Sequence, residues 1–179
     1  MAQPAIDLTV PPRDTSPSPQ SPAEYVRHVP RGTSPAFWGP GTVMTFLITG
    51  KETDGAFFLS EISVPPNAGP PPHIHSREDE SLQLLEGTLT IEVGGETITA
   101  SSGDFVHLPR GLVHTFKNTG AVNARALVIT TPAGLENYFA EVFDVAGDRS
   151  VPPPPPSPSI LARAKAAAPK YGLELLPPS

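Results

Sequence analysis

The chain contains no cysteine. Disulfides, zinc–thiolate sites, iron–sulfur clusters and cysteine nucleophiles are excluded, so any bound metal must rest on His, Asp, Glu or backbone oxygen. No stretch approaches about 18 consecutive apolar residues, so no transmembrane helix is predicted and no membrane partner is expected. The first residues, Met-Ala-Gln-Pro-Ala-Ile-Asp, lack a basic start followed by an apolar run. No signal peptide is predicted from them, and the cytoplasm is the expected compartment. Lys and Arg form no cluster, and the formal net charge is −6 with 17% charged residues. Broad phosphate contact needs a basic face, so no nucleic-acid partner is expected.

Proline is scarce in the middle of the 179 residues and dense elsewhere. Between His73 and Thr131 only Pro109 occurs, whereas residues 1–40 and 151–179 hold nine prolines each. One folded domain with extended tails fits this distribution. Residues 1–35 are rich in Pro, Ser and Thr and read as a flexible N-terminal arm. Residues 36–147 read as a β-barrel with a following helix. Residues 148–179 read as a polyproline spacer (Pro152 to Pro156) and a helical tail.

Strands are predicted over 42–49, 56–64, 80–85, 88–93, 96–100, 104–108, 113–118 and 124–130. Turn residues separate them, including Gly94-Gly95, a strong hairpin signal. Short strands at this spacing predict an all-β sandwich or barrel. Leu135, Tyr138, Phe139, Val142 and Phe143 then fall on one helical face, with Thr131 as the expected cap and Pro132 at the first helical position. A second helix is predicted from about Ser159 to Ala168. It is too short to stand alone in water and is expected to dock.

His73 and His75 sit two apart, so in an extended segment they share a face. They read either as two ligands converging on one metal ion or as a pair of surface histidines. Glu80 lies at odd spacing from His75 and can join them only through a turn, which Ser76-Arg-Glu-Asp79 can supply. His114 follows the turn Pro109-Arg-Gly111 among apolar neighbours. Alone it would read as a core residue, and with the others it reads as a fourth ligand.

These residues carry a resemblance to the cupins. The first cupin motif runs Gly-x5-His-x-His-x(3,4)-Glu-x6-Gly. Gly69, His73, His75, Glu80 and Gly87 fit it, with three rather than five residues after the first glycine. The second runs Gly-x5-Pro-x-Gly-x2-His-x3-Asn, and Gly103, Pro109, Gly111, His114 and Asn118 fit it without departure. The resemblance implies a double-stranded β-helix (jelly-roll) barrel, and the short C-terminal helices read from the sequence lie outside its reach. It also implies a divalent transition metal ion held by His73, His75, Glu80 and His114. The ligand types suit Fe, Mn, Ni, Co, Cu or Zn without choosing among them. Spacing to Gly87 selects Glu80, which leaves Glu78 and Asp79 as solvated loop charges. His107 lies in the second motif but off its ligand position, facing away from Val106 and Leu108.

Leu82 and Leu84 share parity with Glu80, and Phe116 shares parity with His114. With Phe46 they are the expected substrate-pocket residues, although core packing is the plainer role for most of them. The ligand set is similar to that of quercetinase-like dioxygenases. That similarity implies an oxygenase acting on a small aromatic or enolic, flavonol-like substrate, with dioxygen as co-substrate and Glu80 as catalytic proton acceptor. The stretch Ser81-Leu82-Gln83-Leu84 lacks the aromatic residues common after the metal glutamate in such cupins, which would widen the cavity. The alternatives are a non-redox lyase, isomerase or cyclase, and a small-molecule-binding protein without turnover. Barrels of this family commonly pair, so a homodimer is expected, with the first strands and Trp38 as its patch.

Overall fold

Apolar residues alternate along most strands, and the alternation decides which face each strand buries. The computed structural model of the chain describes residues 26–148, 151 and 153–177. Residues 1–25 of the expected N-terminal arm lie outside them. Eight strands follow the prediction closely: β2 (Thr42–Ile48), β3 (Phe58–Val64), β5 (Asp79–Glu86), β6 (Thr88–Val93), β7 (Glu96–Ser101), β8 (Phe105–Leu108), β9 (His114–Lys117) and β10 (Ala124–Thr131). Four short strands are additional: β1 (Ala36–Gly39), β4 (His73–His75), β11 (Asp144–Val145) and β12 (Leu173–Leu175).

Two antiparallel sheets result. The larger has the order β11-β1-β2-β3-β10-β5-β8, and the smaller the order β12-β4-β9-β6-β7. On β3 the inward residues are Phe58, Ser60, Ile62 and Val64, and on β10 they are Ala124, Ala126, Val128 and Thr130. Between the sheets these meet Leu82, Leu84, Leu89 and Ile91 in one apolar core. Complete burial of a side chain the size of Leu89 contributes on the order of 1.5–3 kcal/mol.

Motif residues hold the two sheets in place. A Cβ on Gly69 would lie far inside contact with the Phe116 carbonyl oxygen, so only glycine lets this loop pass β9. Asn118 is fully buried and clasps three backbone groups. Its Nδ2 donates to the carbonyls of Val64 and Val122, each at 2.7 Å, and its Oδ1 accepts from the Gly120 N–H. The Gly111 N–H donates to the His75 carbonyl at 2.8 Å, which ties the second motif's turn to the first motif's strand.

Helix α1 (Leu135–Val142) buries Leu135, Tyr138 and Val142. The expected cap is corrected. Thr131 ends β10, and Gly134 takes the cap position, its N–H donating to the Glu136 carboxylate. Pro132, Ala133 and Gly134 separate Thr131 from Leu135, so it stands too far from the first turn to cap it. Helix α2 (Pro158–Ala167) starts at Ser157, whose hydroxyl accepts from the Ile160 N–H. A 3-10 turn (Ala168–Tyr171) follows it and leads into β12. Helix α2 docks on α1 through a second apolar cluster that includes Leu135, Tyr138, Ile160, Ala164 and Leu173. No described helix is long and apolar enough to cross a membrane.

Candidate metal centre

His73 and His75 are the two ends of β4, with inward side chains, while Ile74 between them points the other way. His114 opens β9 and pairs directly with His73. All three stand on the smaller sheet. Glu80 stands on β5 of the larger one, between Thr130 on β10 and Leu108 on β8. Residues 76–78 carry the chain from one sheet to the facing one. The odd spacing from His75 to Glu80 therefore brings them face to face, because inward on one sheet opposes inward on the other.

The four side chains are buried, at 8% exposure for His73, 2% for His75, 6% for Glu80 and 2% for His114. One ligand atom from each lies within 4.8 Å of all the others. The ring of His73 donates from Nδ1 to the Pro71 carbonyl at 2.9 Å, and that of His114 from Nδ1 to the Leu112 carbonyl at 3.0 Å. A carbonyl only accepts, so the proton sits on Nδ1 in both rings and Nε2 keeps its lone pair. The Nε2 of His114 and both ring nitrogens of His75 are buried with no hydrogen-bond partner among the described residues. The Nε2 of His75 lies 3.3 Å from Glu80 Oε2. Buried orphan lone pairs converging on one carboxylate fit a divalent cation.

Electrostatics agree. Burial, helped by the neighbouring rings, lowers the pKa of His73 to about 4 and also lowers that of His114. Burial pushes Glu80 up, but the three surrounding histidines outweigh it and hold its carboxyl down at about 2. Near neutral pH His73 and His114 are uncharged imidazoles beside an ionised Glu80 carboxylate, the protonation state metal binding needs.

Glu78 departs from the solvated loop charge expected of it. It is 4% exposed, with Oε2 4.0 Å from Nδ1 of His75, and burial raises its pKa. Glu78 lies in the connection just before β5, and its even spacing from Glu80 was the available signal, since extended chain leading into a strand keeps the strand's parity. Asp79 lies between them and faces outward, where Arg110 grips it from Nε and Nη2 and lowers its pKa. His107 stands apart on the outer face, its Nδ1 2.9 Å from Ser81 Oγ.

A cavity of about 140 Å³ opens above the donors. His73, His75 and Glu80 form its polar end, and Met44, Phe58, Ile62, Phe116 and Val128 are part of its barrel wall. Of the expected pocket residues, Phe116 is on this wall. Phe46, Leu82 and Leu84 are not: they pack in the apolar core behind it, with Phe46 4.9 Å from the wall residue Phe58 between ring centroids. Parity alone places a side chain inside without deciding whether it reaches the cavity. Helix α1 adds Leu135, Tyr138 and Phe139, and the C-terminal segment adds Leu161, Ala164, Leu173 and Leu175. Two hydroxyl-bearing residues, Thr130 and Tyr138, line this space. Thr130 Oγ1 is buried without a hydrogen-bond partner among the described residues, and burial pushes the Tyr138 pKa up to about 12.

Comparison with known proteins follows the same lines. The cupin domain family profile matches residues 60–130. Over 94 residues the chain is 33% identical to quercetin 2,3-dioxygenase of Bacillus subtilis, which covers 52% of this chain and 28% of that protein. Over 75 residues it is 32% identical to the tetracenomycin polyketide synthase protein TcmJ of Streptomyces glaucescens, covering 42% and 50%. The chain thus spans half or less of the length of these two curated relatives. Among solved structures, the polyketide cyclase RemF of Streptomyces resistomycificus superposes with a TM-score of 0.52 at 28% identity, covering 59% of this chain and 79% of that one.

Proposed function

The chain belongs to the cupin superfamily, and from that premise we propose that it is a metal-dependent enzyme acting on a small aromatic or enolic substrate. Oxygen-dependent cleavage of a flavonol-like compound is the first reading. One observation carries it: two imidazoles, His73 and His75, and the Glu80 carboxylate, clustered with His114, form the polar end of a cavity whose other walls are nearly all apolar. A flat, largely apolar molecule with an acidic hydroxyl beside a carbonyl matches both ends of that space.

A divalent transition ion held by His73, His75, Glu80 and His114 would supply Lewis acidity toward the substrate oxygens and, if redox-active, electron transfer between substrate and dioxygen. The chain's own residues do the rest. The Nδ1–H bonds to Pro71 and Leu112 fix two of the imidazoles before substrate arrives. Glu80 accepts the proton of an acidic enol, and its low pKa keeps that proton on it only briefly. Tyr138 stays protonated and, with Thr130, offers a donor to a second substrate oxygen. The apolar walls exclude water from the charge that develops.

Ring closure without oxygen is the second reading. The RemF similarity favours it, because that match covers most of a chain described as a polyketide cyclase. Metal analysis comes first. Purified protein is expected to carry about one transition ion per chain, and Glu80→Ala and His114→Ala are expected to lose it. Unchanged metal content in both variants refutes the ligand assignment. An oxygen electrode then separates the readings. Oxygen uptake with a flavonol supports the first, and anaerobic product formation from an enolisable polyketone supports the second.

A further inference from the structure

We infer that residues 158–175 are a movable, specificity-setting wall of this cavity: substrate reaches the donors when β12 lifts from β4, and the apolar side chains of the segment select the ring system admitted. The inference rests on the proposed substrate site and adds how that site is closed.

Four features of the chain carry it. The segment supplies Leu161, Ala164, Leu173 and Leu175 to the cavity, opposite the barrel wall. Its attachment beside the donors is short. Strand β12 is an edge strand whose three register pairs all fall on β4, with Leu173 opposite His75 and Leu175 opposite His73. Hydrogen bonds from the Ser76 N–H to the Gly172 carbonyl and from the Leu176 N–H to the Pro72 carbonyl close its two ends. Ser76 Oγ also donates to the Gly172 carbonyl, and the segment's other side-chain anchorage goes to α1 and β11. Arg163 donates to the Val142 carbonyl and to Asp144, and Lys170 and Tyr171 donate to Glu141.

The cavity also lies on a seam. The barrel has one apolar cluster, and α1 with the C-terminal segment forms a second. No residue of 158–175 belongs to the barrel cluster, so lifting β12 from β4 leaves the barrel core intact, as in local opening. At the rim, Leu161 lines the cavity yet is 48% exposed, which marks the mouth. Finally, the space of about 140 Å³ matches a single ring, since a cavity of roughly 150 Å³ holds benzene. A fused multi-ring substrate requires the wall to move. The cupin profile matches residues 60–130, so the wall lies outside the stretch it covers.

The test uses the absence of native cysteine. Ile74 and Glu174 are register partners on β4 and β12, and both alternate with inward-facing residues, so they lie on the outer face. Neighbours across an antiparallel pair fall within disulfide range. In the double variant Ile74→Cys, Glu174→Cys, oxidation locks β12 to β4 without entering the cavity, and reduction restores it in the same molecule.

Two entry rates are read, one for a flavonol into the metal-loaded protein and one for an apolar naphthalene fluorophore into the metal-free protein. Locking is expected to slow both by at least about tenfold relative to the reduced form, as for other gated sites. Equal rates in the two forms overturn the inference. Slowed fluorophore entry with no flavonol binding in either form leaves the wall standing and removes the substrate reading. Selectivity is read separately. Leu161→Ala with Leu173→Ala is expected to raise flavonol affinity over that of catechol by about tenfold, the worth of one buried aliphatic side chain. Ala164→Phe is expected to lower the same ratio, and a ratio unmoved in both variants overturns the specificity role.

Discussion

Acidification should cost the metal-free protein far more stability than its surface charge would suggest, because of His73. An unfolded histidine titrates near 6.5, and burial lowers the folded value to about 4. The folded state therefore binds fewer protons throughout that window. Stability is full above pH 6.5 and is lost as pH falls toward 4. At pH 4 the unfolded ring has gained about 2.5 log units of protonation free energy, and the folded ring, at its own midpoint, about 0.3. The difference of about 2.2 units is about 3 kcal/mol. Glu80 acts in the same direction at lower pH. Its pKa is held at about 2 against 4.5 unfolded, so its contribution is present above 4.5 and is lost below. By pH 4 that adds roughly 0.8 kcal/mol. A loss near 4 kcal/mol is a large share of a typical 5–15 kcal/mol. Urea unfolding of chelator-treated protein between pH 7 and 4 measures it, the midpoint falling by about 2 M for a slope near 2 kcal/mol/M. In His73→Leu most of this slope should disappear. A slope identical in the variant and the native chain refutes the assignment of the effect to the buried imidazole.

Two packing predictions concern motif residues away from the donors. Gly69→Ala sets a Cβ against the Phe116 carbonyl and forces the Pro70–Pro72 approach off β9. A cost of about 1–3 kcal/mol is expected, together with weaker metal binding, read by thermal unfolding and metal titration. Asn118→Ala strands the Val64 and Val122 carbonyls and the Gly120 N–H. Each buried unsatisfied group costs on the order of 1–3 kcal/mol, so the variant should unfold well below the native chain or fail to accumulate.

Much of this architecture is written locally. Strands such as β3 and β10 alternate buried and half-buried residues without a break, and paired glycines mark the β6–β7 hairpin. The four missed strands are two to four residues long, too short to show a period. Strand β4 is visible only through its His-x-His, and β12 is defined by the edge it joins rather than by its own residues. The donors are legible because each motif holds them at fixed spacing around glycines, which admit close backbone approach at Gly69 and Gly87 and a positive φ at Gly103 and Gly111. Glu78 was misassigned for a different reason. Its neighbours Arg77 and Asp79 are solvent-facing, so composition argued for a loop, whereas strand parity argued for burial beside His75.

The cavity was the least legible part, and the reason is topological. Parity along β5 correctly turns Leu82 and Leu84 inward, but not every inward residue reaches the cavity. Which inward residues meet a ligand depends on what covers the donors. Here the cover is α1 and a segment some 80–100 residues later in the chain than β4, reached across a polyproline spacer. Its alanine-rich helix carries little apolar signal of its own. The 3-10 turn and β12 acquire their burial only from the surface they meet. Substrate choice in this chain is thus expected to vary with residues beyond the shared barrel, while metal binding varies with residues within it. The two properties should separate cleanly: Glu80→Ala abolishes metal binding, and Ala164→Phe leaves metal content unchanged while narrowing the range of ligands bound.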